Sequence, residues 1–238
     1  MLVRPSWLFR CLLVLPLCSA QAQVTVAPAA NAYELADNAG WVREFAAPDT
    51  PPDKPRIVGV GRGNDLNWDP RFVALLHSSF RQRQWFWYDH YKFPPLPDVV
   101  QTFLAVPGDV ILDKDRYVTV DGCVPHAGYL RGLLWMDTGE HPAAVIFSGI
   151  DLVSSESGKE SYHLWLFSSK KLARNQMPGP FLASLHRWLT ILSTNGYRGT
   201  NGYKYHFDLV TLVQPTGEMV DISPETMHLN PSVSEAKK

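Results

Sequence analysis

Cysteine is nearly absent: there are three in 238 residues, and two of them, Cys11 and Cys18, sit in one N-terminal apolar run. A disulfide framework is therefore excluded as the source of stability. Charge of one sign is lacking too, with 22 basic against 23 acidic residues. Without a basic stripe, nucleic acid is not an expected partner. Metal motifs are missing: no H-E-x-x-H and no paired C-x-x-C spacing occurs, although there are eight histidines. G-x-S-x-G does not occur either. These absences predict no metal, no cofactor and no enzymatic activity.

The long apolar run of a membrane span is also lacking. Arg4 and Arg10 precede only a short one, Cys11 to Cys18, followed by Ser19-Ala20-Gln21-Ala22-Gln23. That order of basic, apolar and small residues predicts a secretory signal over 1–22, cleaved after Ala22, and hence a periplasmic or secreted protein. Leu17 before Cys18 argues against a lipid anchor. The mature chain would keep 216 residues, a single thiol at Cys123 and no membrane span. Apolar residues at 45% make that length sufficient for a packed core.

Residues 23–56 read as a peripheral N-terminal segment. Tyr33, Leu35, Trp41, Val42 and Phe45 suggest one short docked helix, and four prolines between Ala47 and Pro55 suggest an extended linker. A single α+β domain is expected over 57–221, with a loose polar tail over 222–238. Asp69-Pro70 followed by Phe72, Leu75 and Leu76 marks a capped amphipathic helix. Asp98 to Val106 reads as a shorter helix capped by Asp98. Strands are expected at Tyr117–Val120, Gly132–Asp137, Ala143–Ile150 and Tyr162–Phe167. Phe181, Leu185, Trp188 and Leu192 form a helical stripe after Pro180, ending near Gly196. Alternation from Tyr203 to Val213 predicts a long strand with one buried face. Together these predict an antiparallel β-sheet packed by a few helices, with a loop projecting between two central strands.

Three segments invite a chemical reading. Gly59-Val60-Gly61-Arg62-Gly63 has the wrong spacing for a dinucleotide fingerprint and no helix expected directly after it, so it reads as a flexible turn before Asn64. The run Trp85-Phe86-Trp87-Tyr88-Asp89-His90-Tyr91 reads as a strand buried on both faces. On that strand Trp85 and Trp87 share one face and could alternatively stack on a glycan. Asp121-Gly122-Cys123-Val124-Pro125-His126-Ala127-Gly128 reads as a tight loop stiffened by Pro125. It is either an ordinary hairpin turn or a tip whose imidazole offers hydrogen bonds to a partner's carboxylates.

With that last segment the chain resembles the inhibitors of vertebrate lysozyme, the Ivy-type periplasmic proteins, whose loop is written C-K-P-H-D-C between two strands. Cys123-Val124-Pro125-His126-Ala127-Gly128 stands in the corresponding place. Phe72, Leu76, Trp87, Tyr117 and Leu133-Leu134-Trp135 agree with its surroundings, over about Phe72 to Leu152. The resemblance implies a non-enzymatic inhibitor whose histidine, here His126, enters a c-type lysozyme cleft, flanked by Pro125, Cys123, Val124, Ala127 and Gly128. The partner would be such a lysozyme or another peptidoglycan-cleaving enzyme. Gly128 replaces the family's second cysteine and Ala127 its aspartate, so the loop staple cannot form. The unpaired Cys123 leaves intermolecular pairing, and so a dimer, open. The alternative is the same scaffold binding cell-wall glycan or another periplasmic partner through Trp85 and Trp87.

Overall fold

Along two neighbouring segments, Val118 and Val120, and then Leu134 and Met136, alternate with Thr119, Asp121, Leu133 and Trp135. Alternate residues of a strand point to opposite faces, so a sheet made from them is lined on both sides. The computed structural model describes residues 38–49, 59–88, 92–154, 160–173, 176–194 and 205–230. These form one eight-stranded sheet whose strands lie side by side in chain order. The strands are β1 (Ala47–Pro48), β2 (Val106–Asp113), β3 (Tyr117–Val124), β4 (Ala127–Asp137), β5 (Ala144–Ser154), β6 (Ser161–Ser168), β7 (Phe207–Val213) and β8 (Met219–Ile222). The fold is α+β with a mostly antiparallel sheet. Only the β1–β2 and β6–β7 pairs are parallel, and helices intervene in the chain within each, as parallel neighbours require.

Both faces are covered. On one lie α1 (Gly63–Trp68), α2 (Pro70–Ser79) and α3 (Leu96–Phe103), which bury Leu66, Phe72, Leu76, Val100 and Phe103 against Val118, Val120, Leu134 and Phe147. On the other lies α4 (Gly179–Thr194), whose stripe Phe181, Leu185, Trp188 and Leu192 packs on Leu133, Trp135 and Leu164. Each such side chain contributes about 1.5–3 kcal/mol on burial. The Asp69 carboxylate caps α2 by accepting the Arg71 N–H at 2.8 Å, with Pro70 in the first turn. The Arg71 guanidinium returns to Asp69 at 2.7 Å and lies 4.4 Å over the Trp41 ring. One cap thus ties the preceding segment to the helix.

Several expectations are corrected. Trp41, Val42 and Phe45 fall in a 3-10 helix, Ala39–Phe45, with Val42 fully buried, and Ala47–Pro48 adds an edge strand within the expected linker. The short helix starts at Leu96, not at Asp98, and ends before Val106, which opens β2. Pro97 needs no N–H partner and so takes the first turn, leaving Asp98 inside it, where the helix dipole favours a carboxylate. A helix does follow the glycine run, because α1 begins at Gly63. The tail is not loose from Ile222: Ile222 closes β8, Met227 and Leu229 are buried, and the Asn230 side chain bonds both the N–H and the C=O of Phe207 at 2.9 Å. The signal segment, Tyr33, Leu35, Gly196 and residues 231–238 lie outside the described residues.

Two glycines with positive φ test how tightly the glycine run is built in. At Gly61 (φ +81°) a Cβ would lie 2.5 Å from the Val110 carbonyl oxygen and 2.9 Å from that of Phe45, whereas Gly217 (φ +85°) faces open space. Gly217→Ala should cost about 1–2 kcal/mol from backbone strain alone. Gly61→Ala adds overpacking, for about 3 kcal/mol or more in total. Urea unfolding of the two variants checks this, and equal losses would refute the tight fit at Gly61.

Candidate functional site

Antiparallel pairing of β3 with β4 runs in constant register from Tyr117↔Asp137 to Cys123↔Arg131 and then slips, so that Val124 pairs Ala127. The slip leaves Gly128, Tyr129 and Leu130 as a bulge on β4 and reduces the turn to Pro125 and His126. The strands thus extend well into the segment read as a loop. His126 adopts φ +62°, a left-handed conformation that few non-glycine residues take. Pro125 at the first central position and a left-handed residue at the second are the choices of a type II turn.

Pro125 and His126 are exposed, while Cys123 and Val124 are buried and Ala127 and Gly128 half-buried. Burial also pushes the Cys123 thiol up. Cys123 and Val124 are therefore removed from the contact set, since both are buried within β3 and Val124 packs in the core. Tyr129, on the bulge and 38% exposed, joins it. No repeat or motif marked Tyr129; only the register slip turns it outward. The bulge is tied down twice, by Arg131 Nε donating to the Gly128 carbonyl at 3.0 Å and by the Tyr205 hydroxyl donating to the Tyr129 carbonyl at 3.2 Å.

The described part of the aromatic run, Trp85 to Tyr88, is not a strand. The buried Gln84 side chain supplies what a neighbouring strand would: its amide donates to the carbonyls of Trp87 and Pro94 and accepts the Trp87 N–H, all at 2.9 Å. Phe86 stacks on Trp165 at 5.6 Å, over Gly149, where a Cβ would lie 3.2 Å from the ring. Trp87 packs edge-on to Phe103 at 5.1 Å. Trp85 and Trp87 consequently do not form one face. Trp85 instead clusters with Phe93, and Phe93 with Tyr88, and these three rings are 45–55% exposed. Asp89, His90 and Tyr91 lie outside the described residues.

The glycine run serves as an internal anchor. Gly59 and Val60 N–H both donate to Asp109 Oδ1, and Arg62 N–H donates to the Phe45 carbonyl at 2.8 Å, so these three donors are taken by the chain itself. The Asp109 N–H in turn donates to Asp121. Burial, and then the Asp109 charge, push the Asp121 carboxyl up to about 6, against the pull of the Asp109 N–H, Arg131 and Trp188. On the other sheet face, His163 Nε2 lies 2.9 Å from the Thr211 hydroxyl, which donates to Asp221 at 2.8 Å. Because Thr211 spends its one proton on Asp221, His163 must donate from Nε2. Burial pushes His163 down to about 4, which keeps it neutral. Neither group was legible as special, since each occupies one position of an alternating strand. Among the described residues, no three of His, Cys, Asp and Glu gather as a metal ion would need.

Asp121 holds its proton more tightly when folded than the 3.8 of an ordinary carboxyl. Its contribution is therefore fully present below about pH 3.8 and is lost as the pH rises through 6. Asp121→Asn keeps an acceptor for the Asp109 N–H and removes the charge. It should raise stability by on the order of 3 kcal/mol at pH 7.5 and change little at pH 3.5. Urea unfolding at both pH values checks the sign. A loss at pH 7.5 would contradict it.

No protein-family model, curated protein or solved structure matches this chain.

Proposed function

We propose that the chain is an exported, non-enzymatic binding protein that inserts the Pro125–His126 tip into a carboxylate-lined cleft, as of a c-type lysozyme or another peptidoglycan-cleaving enzyme. The observation that carries this reading is an exposed imidazole held in a left-handed turn at the end of a paired hairpin. Lys114, Asp115 and His228 share the left-handed conformation, so what supports the reading is not strain but the exposure of an imidazole at the tip of a hairpin whose flanks are buried. The missing staple does not undo the reading. Val124 and Leu130, at 7% exposure, anchor both sides of the turn in the core, and the bonds to Gly128 and Tyr129 restrict the bulge. A loop ordered before binding gives up little entropy on docking.

A second reading is favoured by the cluster of Trp85, Tyr88 and Phe93. Three exposed rings, with Trp85 and Tyr88 each packed on Phe93 and the loop clamped by Gln84, form a platform suited to the apolar faces of a cell-wall glycan.

One experiment separates the two. The chain is titrated into a c-type lysozyme turning over cell-wall substrate, with His126→Asn, which tolerates the left-handed turn, and Trp85→Ala alongside. On the first reading inhibition is dose-dependent, weakens at least about ten-fold in His126→Asn, and is unchanged in Trp85→Ala. No inhibition at micromolar excess refutes it. Binding to insoluble cell wall lost only in Trp85→Ala would then establish the second.

A further inference from the structure

Between α4 and the β2–β4 strands runs a narrow crevice lined by Asp109, Thr119, Asp121, Ser184, Arg187 and Trp188, with three aliphatic side chains completing its walls. Its free interior is about 10 Å3, the room that a single oxygen-sized ligand group occupies. Two polar groups of α4 face it unsatisfied. Ser184 and Trp188 are 2% and 3% exposed, and neither the Ser184 hydroxyl nor the Trp188 indole N–H has a hydrogen-bond partner among the described residues. A serine within a helix ordinarily donates to a carbonyl one turn back, as Thr190 does to His186. Ser184 does not.

The other groups are committed. Asp109 accepts the Gly59 and Val60 N–H, Arg187 pairs with Asp49 at 2.6 Å, and Arg187 Nη2 reaches Thr119 Oγ1 at 3.4 Å. Trp188 and Asp121 line the same crevice, and the indole N–H lies near enough to favour the charged Asp121 carboxyl while lacking a full hydrogen bond of its own. The donor and acceptor inventory then selects the ligand. A metal ion or an ammonium group has no lone pair for the indole N–H. An anion would be set against Asp109 and Asp121. Only a hydroxyl both accepts from Trp188 and donates to Asp121, with Ser184 free to do either.

We propose that this crevice is a binding site for one hydroxyl oxygen, bridging the Trp188 indole, the Ser184 hydroxyl and the Asp121 carboxyl. That oxygen belongs to a water or to a hydroxyl of a polyol or sugar whose remainder lies at the Arg187 side. The site is independent of the hairpin tip and of the aromatic cluster.

The test follows the Trp188 indole N–H by NMR in the full chain with 15N-labelled tryptophan, its resonance assigned by loss in Trp188→Phe. Glycerol is the polyol probe. A shift that saturates with glycerol shows a polyol site. A long-lived water cross-peak to the indole proton that glycerol does not displace shows a water site. In either case Ser184→Ala, which keeps a good helix former, should weaken the signal about five-fold. Absence of both signals, or a signal unchanged in Ser184→Ala, overturns the proposal.

Discussion

The antiparallel pairing of β3 with β4 carries most of what is distinctive here. Seven residues of each strand hold one register before the slip at Val124. On one face that register places Val118 and Val120 beside Leu134 and Met136 in a shared core, and on the other it stacks Tyr117 on Trp135 at 5.5 Å. It also decides what the end of the hairpin can be. Had the register continued, a longer loop would close the strands; the slip converts most of it into bulge and strand. A two-residue turn remains, and His126 is in it.

Covering the sheet on both faces has a cost at polar positions, and the structure meets it with side-chain acceptors and donors. Asp109 anchors the 59–60 backbone, Asp121 receives the Asp109 N–H, and Gln84 closes the aromatic loop. Buried carboxylates are costly when charged, which is why Asp121 keeps its proton to higher pH. His163 responds to burial in the opposite sense by giving its proton up. The two act with opposite slopes between about pH 4 and pH 6.5, and neither lies at the exposed tip.

The aromatic loop shows how a helical or strand pattern can be overridden. Seven consecutive aromatic and polar residues have strong strand propensity, but a strand needs a neighbour for its backbone groups. The sheet is already complete in chain order, so Gln84 takes the neighbour's place. Once the backbone is freed from a strand, Phe86 and Trp87 turn to the core while Trp85 and Tyr88 turn out. The recess over Gly149 that admits the Phe86 ring comes from a strand more than sixty positions away.

What the sequence by itself determined is what local periodicity and caps control. Strand formers between turn clusters placed β3 to β6, Asp69-Pro70 placed the start of α2, the Phe181 stripe placed α4, and Pro125-His126 marked the turn. These depend on near neighbours, so a short window contains their cause. The alternation expected from Tyr203 to Val213 instead breaks at Asp208, where β7 shifts register so that Leu209 is exposed and Val210 and Leu212 are buried. Tertiary structure alone decided the register slip that leaves Tyr129 on an exposed bulge, the burial of Cys123, the outward cluster of Trp85, Tyr88 and Phe93, and the meeting of Asp109, Asp121, Ser184 and Trp188 under α4. Each of these joins residues far apart in the chain, and their position follows from which strands pair and which faces are covered. No single segment carries that information.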